Sequence, residues 1–233
     1  MTITCDVAPG AHCVCVQREV GEKHIHAGAM FFGYGTVPPK DGVLEHGIQT
    51  AVEAVAGTVT QAMEQGMNDS EKCEDLQQIP HLTATAFRTA SRNLWELCRC
   101  AGQGIYVGGV IAYFHETQYI ALAFGGAGVL LFAEDKLQNL VPPASDRLIH
   151  DAVGGRNGWS GKFIHGILPP GGILLGTTDI PLNWRKCEEQ IREYAGPGIH
   201  VNTAAMALRN MIATRPDAAA VIEFANNQEG GTR

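Results

Sequence analysis

Apolar residues follow two different spacings in the first hundred residues, and the spacings separate predicted strands from predicted helices. Residues 12–18 alternate and residues 27–34 form a β-rich run, which predicts the opening strands of a sheet. Between residues 43 and 63 the apolar positions recur every three or four residues, as they do on one face of an amphipathic helix. Residues 81–100 show the same spacing, so the pattern predicts two strands followed by two helices.

After residue 100 the chain returns to short apolar runs separated by turn residues, and then to helical spacing near its end. The predicted elements are strands at 105–114, 119–124, 129–133 and 173–177, helices at about 183–194 and 203–213, and a last strand at 218–224. This order predicts an α+β fold in which antiparallel sheets are flanked by helices. We expect a single domain over residues 1–233, with an ordered core from about residue 12 to 226.

Composition narrows the possible partners. The formal net charge is -7 and Lys and Arg do not cluster, so we expect no nucleic-acid binding. The longest apolar run, near residues 120–132, is interrupted by glycines and is too short to span a membrane, and residues 1–10 do not resemble a signal peptide. Seven cysteines, an odd number, favour buried free thiols and a reducing, cytoplasmic location over a disulfide framework.

Four short blocks carry the candidate chemistry. They are REVGEKH from Arg18, FFGYGTV from Phe31, LAFGGAG from Leu122, and the pair GTTDI from Gly176 with RPDAAAV from Arg215. In order and spacing these blocks resemble those of the metal-dependent type 2C (PPM) protein phosphatases, and the resemblance covers residues 13–224. It implies a β-sandwich of two antiparallel sheets flanked by pairs of α-helices.

The resemblance implies site roles for four residues. Arg18 matches a phosphate-binding arginine, and Glu22, Asp179 and Asp217 match metal-ligand carboxylates. We therefore expect these four residues to converge at one end of the sandwich as a vestigial site. Simpler interpretations stay open, because Arg18 and Glu22 also suit a surface ion pair, Asp179 a turn or helix N-cap, and Asp217 a turn.

The same resemblance indicates that metal-binding carboxylates have been lost. Lys23, Thr36 and Gly126 stand where the family has carboxylates, and Thr36 with Val37 replaces the Asp-Gly whose aspartate bridges two Mg²⁺ or Mn²⁺ ions. Hard dications are held mainly by anionic oxygen, so a neutral hydroxyl is a poor replacement. Asp41, five residues after Thr36, directly precedes a glycine and is a possible substitute ligand.

These losses predict a catalytically impaired or inactive phosphatase-like domain. We expect it to act as a binding or regulatory module for a protein partner, phosphorylated or not, with no cofactor or only weak Mg²⁺ or Mn²⁺ binding. The alternative is an active phosphoserine/phosphothreonine phosphatase with a reduced or rearranged metal site. If the site is inactive, the Lys23 ammonium could offset the repulsion between the remaining carboxylates.

Overall fold

The structure is a computed structural model. It describes residues 1–20, 25–35, 43–68, 79–101, 104–143, 151–154, 161–179, 181, 183–194, 203–212 and 219–226. In this part of the chain ten strands form two five-stranded antiparallel sheets. The strands are β1 (Thr2–Val7), β2 (Cys13–Val20), β3 (Ile25–Gly35), β4 (Ile105–His115), β5 (Gln118–Phe124), β6 (Gly128–Ala133), β7 (Lys136–Val141), β8 (Lys162–Ile167), β9 (Ile173–Thr177) and β10 (Ala220–Ala225).

The two sheets differ in how their strands follow one another. Sheet A has the order β1-β10-β9-β6-β7, so the first and last strands of the fold are neighbours. Sheet B has the order β2-β3-β4-β5-β8, in which four consecutive strands pair with one another. The β5–β6 connection, Gly125 to Ala127, carries the chain from sheet B to sheet A.

A pair of helices covers the outer face of each sheet. The helices are α1 (Val43–Asn68), α2 (Ile79–Ala101), α3 (Trp184–Tyr194) and α4 (Thr203–Arg209). Apolar side chains of α1 and α2, including Val52, Val59 and Phe87, are buried in one core with those of sheet B. Side chains of α3 and α4, including Ile191 and Leu208, are buried in another core with those of sheet A. The predicted sandwich with flanking helix pairs is therefore confirmed.

The facing sides of the sheets form a third core, in which two glycines allow close approach. A Cβ at Gly28 would lie 2.6 Å from the Phe224 ring, and a Cβ at Gly176 would lie 2.7 Å from Ile222 and 2.9 Å from Val110. No real Cβ tolerates such distances without a shift of its neighbours, so the spacing of the sheets depends on glycine at both positions.

Three strands were not predicted. They are β1, β7 and β8, and each lies at the edge of a sheet. β1 precedes residue 12, where the ordered core was expected to begin. Among the predicted elements, α1 extends five residues beyond residue 63, and α4 ends at Arg209 rather than at residue 213.

The prediction of free thiols is wrong for two cysteines. Cys5 on β1 and Cys15 on β2 form a disulfide, whereas Cys13 and Cys187 are free. Because β1 is an edge strand of sheet A and β2 an edge strand of sheet B, this bond joins the two sheets along one side of the sandwich. The spacing of Cys5 and Cys15, ten residues apart on strands in different sheets, gave no local signal of the pairing.

Among the described helices, none is both long enough and apolar enough to cross a membrane.

Candidate functional site

The sandwich has two ends that can be named by their turns. At the Gly125 end, β5 and β9 finish at Phe124 and Thr177, and β6 begins at Gly128, which pairs with Thr177. At the Glu116 end, β4 and β5 are joined by the turn between His115 and Gln118. The described parts of the blocks that carry the resemblance after residue 120, namely residues 122–128, 176–179 and 219–221, lie at the Gly125 end.

The β5–β6 turn is shaped for glycine. Gly125 and Gly126 have φ angles of 59° and 83°, in the left-handed region that side-chain-bearing residues rarely adopt. A Cβ at Gly125 would lie 2.4 Å from the Gly108 Cα and 3.3 Å from the Ala152 Cβ. The turn is buried and carries the chain between the two sheets without a carboxylate at Gly126.

Residues 151–154 close over this turn. Val153 exchanges two backbone hydrogen bonds with Val107 on β4, at 2.9 and 3.0 Å, and the Gly154 N–H donates to the buried Ser91 hydroxyl at 3.2 Å. Ala152 and Val153 are fully buried. The segment is thereby fixed to both β4 and α2, beside Gly125.

Two tyrosines and an aspartate lie at the same end. Tyr34 on β3 and Tyr106 on β4 are cross-strand neighbours whose rings stack with centroids 5.6 Å apart. Burial raises the pKa of Tyr34, and the nearby Tyr106 and Asp151 raise it further, so the Tyr34 hydroxyl stays neutral. The sequence interpretation missed this cluster, since only the strand register shows that Tyr34 and Tyr106 face each other.

Asp179 follows β9 at the Gly125 end. The Thr177 hydroxyl donates to the Asp179 carbonyl at 2.6 Å and accepts from the Asp179 N–H at 3.2 Å, which closes a local turn. Thr178 is bonded to Ala220, the first residue of β10, with its N–H donating to the Ala220 carbonyl at 3.2 Å. Asp179 therefore lies next to the start of β10, the strand that Asp217 precedes in sequence. Its backbone forms a turn, which was the simpler interpretation of Asp179 from the sequence.

Arg18 does not lie at that end. Its backbone pairs with Ala27, which is level with Tyr113 and Ile120 across sheet B. Ile120 is five residues before Gly125 along β5, a separation of about 16 Å at the usual rise of a strand. The strand registers place Arg18 toward the Glu116 end, so the expected convergence with Asp179 does not hold for Arg18.

The other predicted site residues lie outside the described residues. These are Glu22, Lys23, Thr36, Val37, Asp41 and Asp217. Glu22 and Lys23 fall between Val20 and Ile25, which pair with each other, and Thr36 follows the last residue of β3. Their roles remain predictions.

The described residues at the Gly125 end do not fit a pair of metal ions. Gly126 offers no side chain, and Tyr34 and Tyr106 offer hydroxyl groups. The acidic residues that the described segments place there are Asp6, Asp151 and Asp179, and Asp6 is already paired with Arg209. No group of three His, Cys, Asp or Glu side chains suited to a metal ion occurs within the described residues. A two-metal site needs more anionic oxygen than these segments supply.

The architecture is that of the type 2C serine/threonine phosphatase fold. A sequence search finds no matching family model and no matching curated protein. Solved structures match over nearly the whole chain at low identity, and the likeness therefore establishes the fold.

Three of these structures show the extent of the similarity. The serine/threonine phosphatase of S. agalactiae is 10% identical with a TM-score of 0.69, covering 96% of this chain and 98% of that one. Stp1 from Staphylococcus aureus is 9% identical with a TM-score of 0.72, covering 98% and 94%. PstP/Ppp from Mycobacterium tuberculosis is 12% identical with a TM-score of 0.59, covering 98% of each chain.

Proposed function

We propose that the chain is a catalytically impaired or inactive phosphatase-like domain that acts as a binding or regulatory module. Its partner would be a protein, phosphorylated or not. The observation that carries the proposal is the buried β5–β6 turn, in which Gly125 packs on Gly108 and Ala152 where the family resemblance calls for a metal-binding turn. An aspartate at Gly126 would need a left-handed backbone, which costs about 1 kcal/mol, in addition to its desolvation.

The Tyr34–Tyr106 pair supports the same interpretation. Partly buried stacked tyrosines provide apolar contact area and hydroxyl groups for hydrogen bonding, as protein-binding surfaces commonly do. Hydroxyl groups are poor replacements for the anionic oxygen ligands that hold such metal ions.

A phosphate-release assay tests the proposal. We expect no release from p-nitrophenyl phosphate or from a phosphoserine peptide in millimolar Mn²⁺, under conditions in which a bacterial serine/threonine phosphatase of this fold is active. Metal-dependent release that Asp179→Asn abolishes would contradict the proposal. That result would favour the alternative, a phosphoserine/phosphothreonine phosphatase with a rearranged metal site in which Asp41 serves as a ligand.

The charge-replacement hypothesis for Lys23 has a separate test. We expect Mn²⁺ to shift the melting temperature of the wild type very little. Lys23→Asp should melt lower than wild type without metal and recover part of the loss with Mn²⁺, because a ligand that binds only the native state stabilises it. A large Mn²⁺ shift in the wild type contradicts the hypothesis.

A further inference from the structure

Three of the four sheet edges are protected, each by a visible device. β1 and β2 are joined to each other by the Cys5–Cys15 disulfide and by a hydrogen bond from the Gln17 side chain to the Ile3 carbonyl. β7 has a register irregularity opposite β6, and its Leu137 N–H donates to the Glu188 carboxylate on α3 at 2.9 Å. Such devices prevent an edge strand from pairing with another chain.

Within the described residues, the fourth edge, β8, has none of these devices. It pairs with β5 in an uninterrupted register and contains no proline. Phe163 is 37% exposed and Ile167 is 67% exposed, and among the described residues only one other large hydrophobic side chain, Met206, is exposed to this extent. Phe163 and Ile167 lie on the same face of β8, with His165 between them.

The hydrogen-bonding pattern shows which backbone groups of β8 point away from the sheet. The Leu168 N–H donates to the Thr117 carbonyl on the β5 side at 2.7 Å. In an antiparallel pair the inward-bonding residues alternate, so Gly166, Ile164 and Lys162 also bond inward. The N–H and C=O groups of Phe163, His165 and Ile167 therefore point outward.

We propose that two copies of the chain pair antiparallel through β8, with the twofold axis at His165. In this register Phe163 lies opposite the partner's Ile167, and Ile167 opposite the partner's Phe163. An aromatic residue opposite a β-branched one is a favourable cross-strand pair, and the symmetry repeats it. Every outward N–H and C=O of the three residues then bonds across the seam, which joins the two copies of sheet B into one continuous sheet.

Charge permits a second copy of β8 as the occupant. The segment from Lys162 to Leu168 contains no acidic residue, although the whole chain carries a net charge of -7. The two copies of Lys162 lie at opposite ends of the seam, about 20 Å apart along the strands. The seam is short, so we expect a dissociation constant on the order of 10 μM.

Sedimentation velocity of the full chain from about 1 to 200 μM tests the proposal around that constant. We expect a concentration-dependent monomer–dimer equilibrium. Ile167→Lys should raise the dissociation constant about thirtyfold, since both cross-strand pairs are lost. Met206→Lys is the matched control, because it removes the other exposed large hydrophobic residue, on α4, and should leave the constant unchanged. A monomer throughout, or a dimer that Ile167→Lys does not weaken, overturns the proposal.

Cysteine cross-linking tests the register. A cysteine at position 165 would face its symmetry mate across about 5.5 Å between Cα atoms, which suits a disulfide. His165→Cys should therefore give a covalent dimer on a non-reducing gel after mild oxidation. In Phe163→Cys the two cysteines would be offset by about 13 Å along the strands and should not cross-link. Equal cross-linking of both variants, or of neither, contradicts the twofold axis at His165.

Discussion

Glu223 allows a direct test of how burial controls the pH dependence of stability. It lies on β10, on the face that packs beneath α3 and α4, and is 3% exposed. Its carboxylate accepts a hydrogen bond from the Ala205 N–H, in the first turn of α4, at 2.9 Å. Burial raises the pKa of Glu223 from 4.5 to about 7, and the bond from Ala205 offsets part of that rise.

The sign of the effect follows from proton binding. Between pH 4.5 and about 7 the folded protein holds a proton on Glu223 that the unfolded chain releases, so the free energy of unfolding falls as the pH rises through this range. The full shift corresponds to about 3 kcal/mol. Glu223→Gln removes the titration and keeps an oxygen that can accept from Ala205. We therefore expect this variant to be about 2 to 3 kcal/mol more stable than wild type at pH 8 and nearly equal to it at pH 4.5.

Thermal melts of both proteins from pH 4.5 to 8.5 measure the difference. In a domain of this size 2 to 3 kcal/mol corresponds to about 5 to 10 °C. Groups that titrate in both proteins cancel in the comparison. Glu188→Gln is a control for the change from carboxylate to amide, because Glu188 also accepts a backbone N–H but is only partly buried. A Glu223→Gln protein whose advantage does not grow from pH 4.5 to 8 would refute the reasoning.

Two further predictions concern the packing of the sheets. Cys5→Ser, or reduction of the wild type with dithiothreitol, should lower the free energy of unfolding by about 2 to 3 kcal/mol, because the Cys5–Cys15 bond closes a short loop between the sheets. Cys13→Ser should have little effect in the same thermal melts. A wild type whose stability does not change with reductant would contradict a stabilising role for the disulfide. Gly28→Ala should cost about 1 to 3 kcal/mol in urea unfolding, because its Cβ would lie 2.6 Å from the Phe224 ring. Gly57→Ala, at an exposed position of α1 with nothing within 4 Å, should instead stabilise by about 0.5 to 1 kcal/mol, and equal effects of the two changes would rule out the steric explanation.

Central elements of the fold were predictable from the sequence because their burial leaves a strong pattern. β4 and β5 are buried along nearly their whole length, and the predicted runs at 105–114 and 119–124 match them to within one residue at each end. The edge strands β7 and β8 are only partly buried, and polar residues such as Gln138 and His165 interrupt their apolar pattern. An edge strand buries less apolar surface, so its sequence is less constrained.

The candidate site was harder to predict, because its position follows from the order of the strands and the first strand, β1, was not predicted. β1 was missed, so β2 was taken to open the sheet and Arg18 was expected near Asp179. The structure places the β1–β2 connection, not Arg18, at the Gly125 end, where Ala8 N–H donates to the Ala219 carbonyl at 2.9 Å. The loss of a carboxylate at Gly126 can be read from the sequence. The passage of the chain between the sheets at this turn, and the Tyr34–Tyr106 pair, require the register of strands distant in sequence.

The position of β10 between β1 and β9 has a consequence for how the protein is made. The strands β2 to β5 can pair in the order in which a ribosome releases them, because each neighbour in the sheet is also the next strand in the sequence. β1 is synthesised first, yet its ladder partner β10 is synthesised last. Sheet A can therefore be completed only after β10 has been released, and until then β1 presents an unpaired edge to other nascent chains and chaperones.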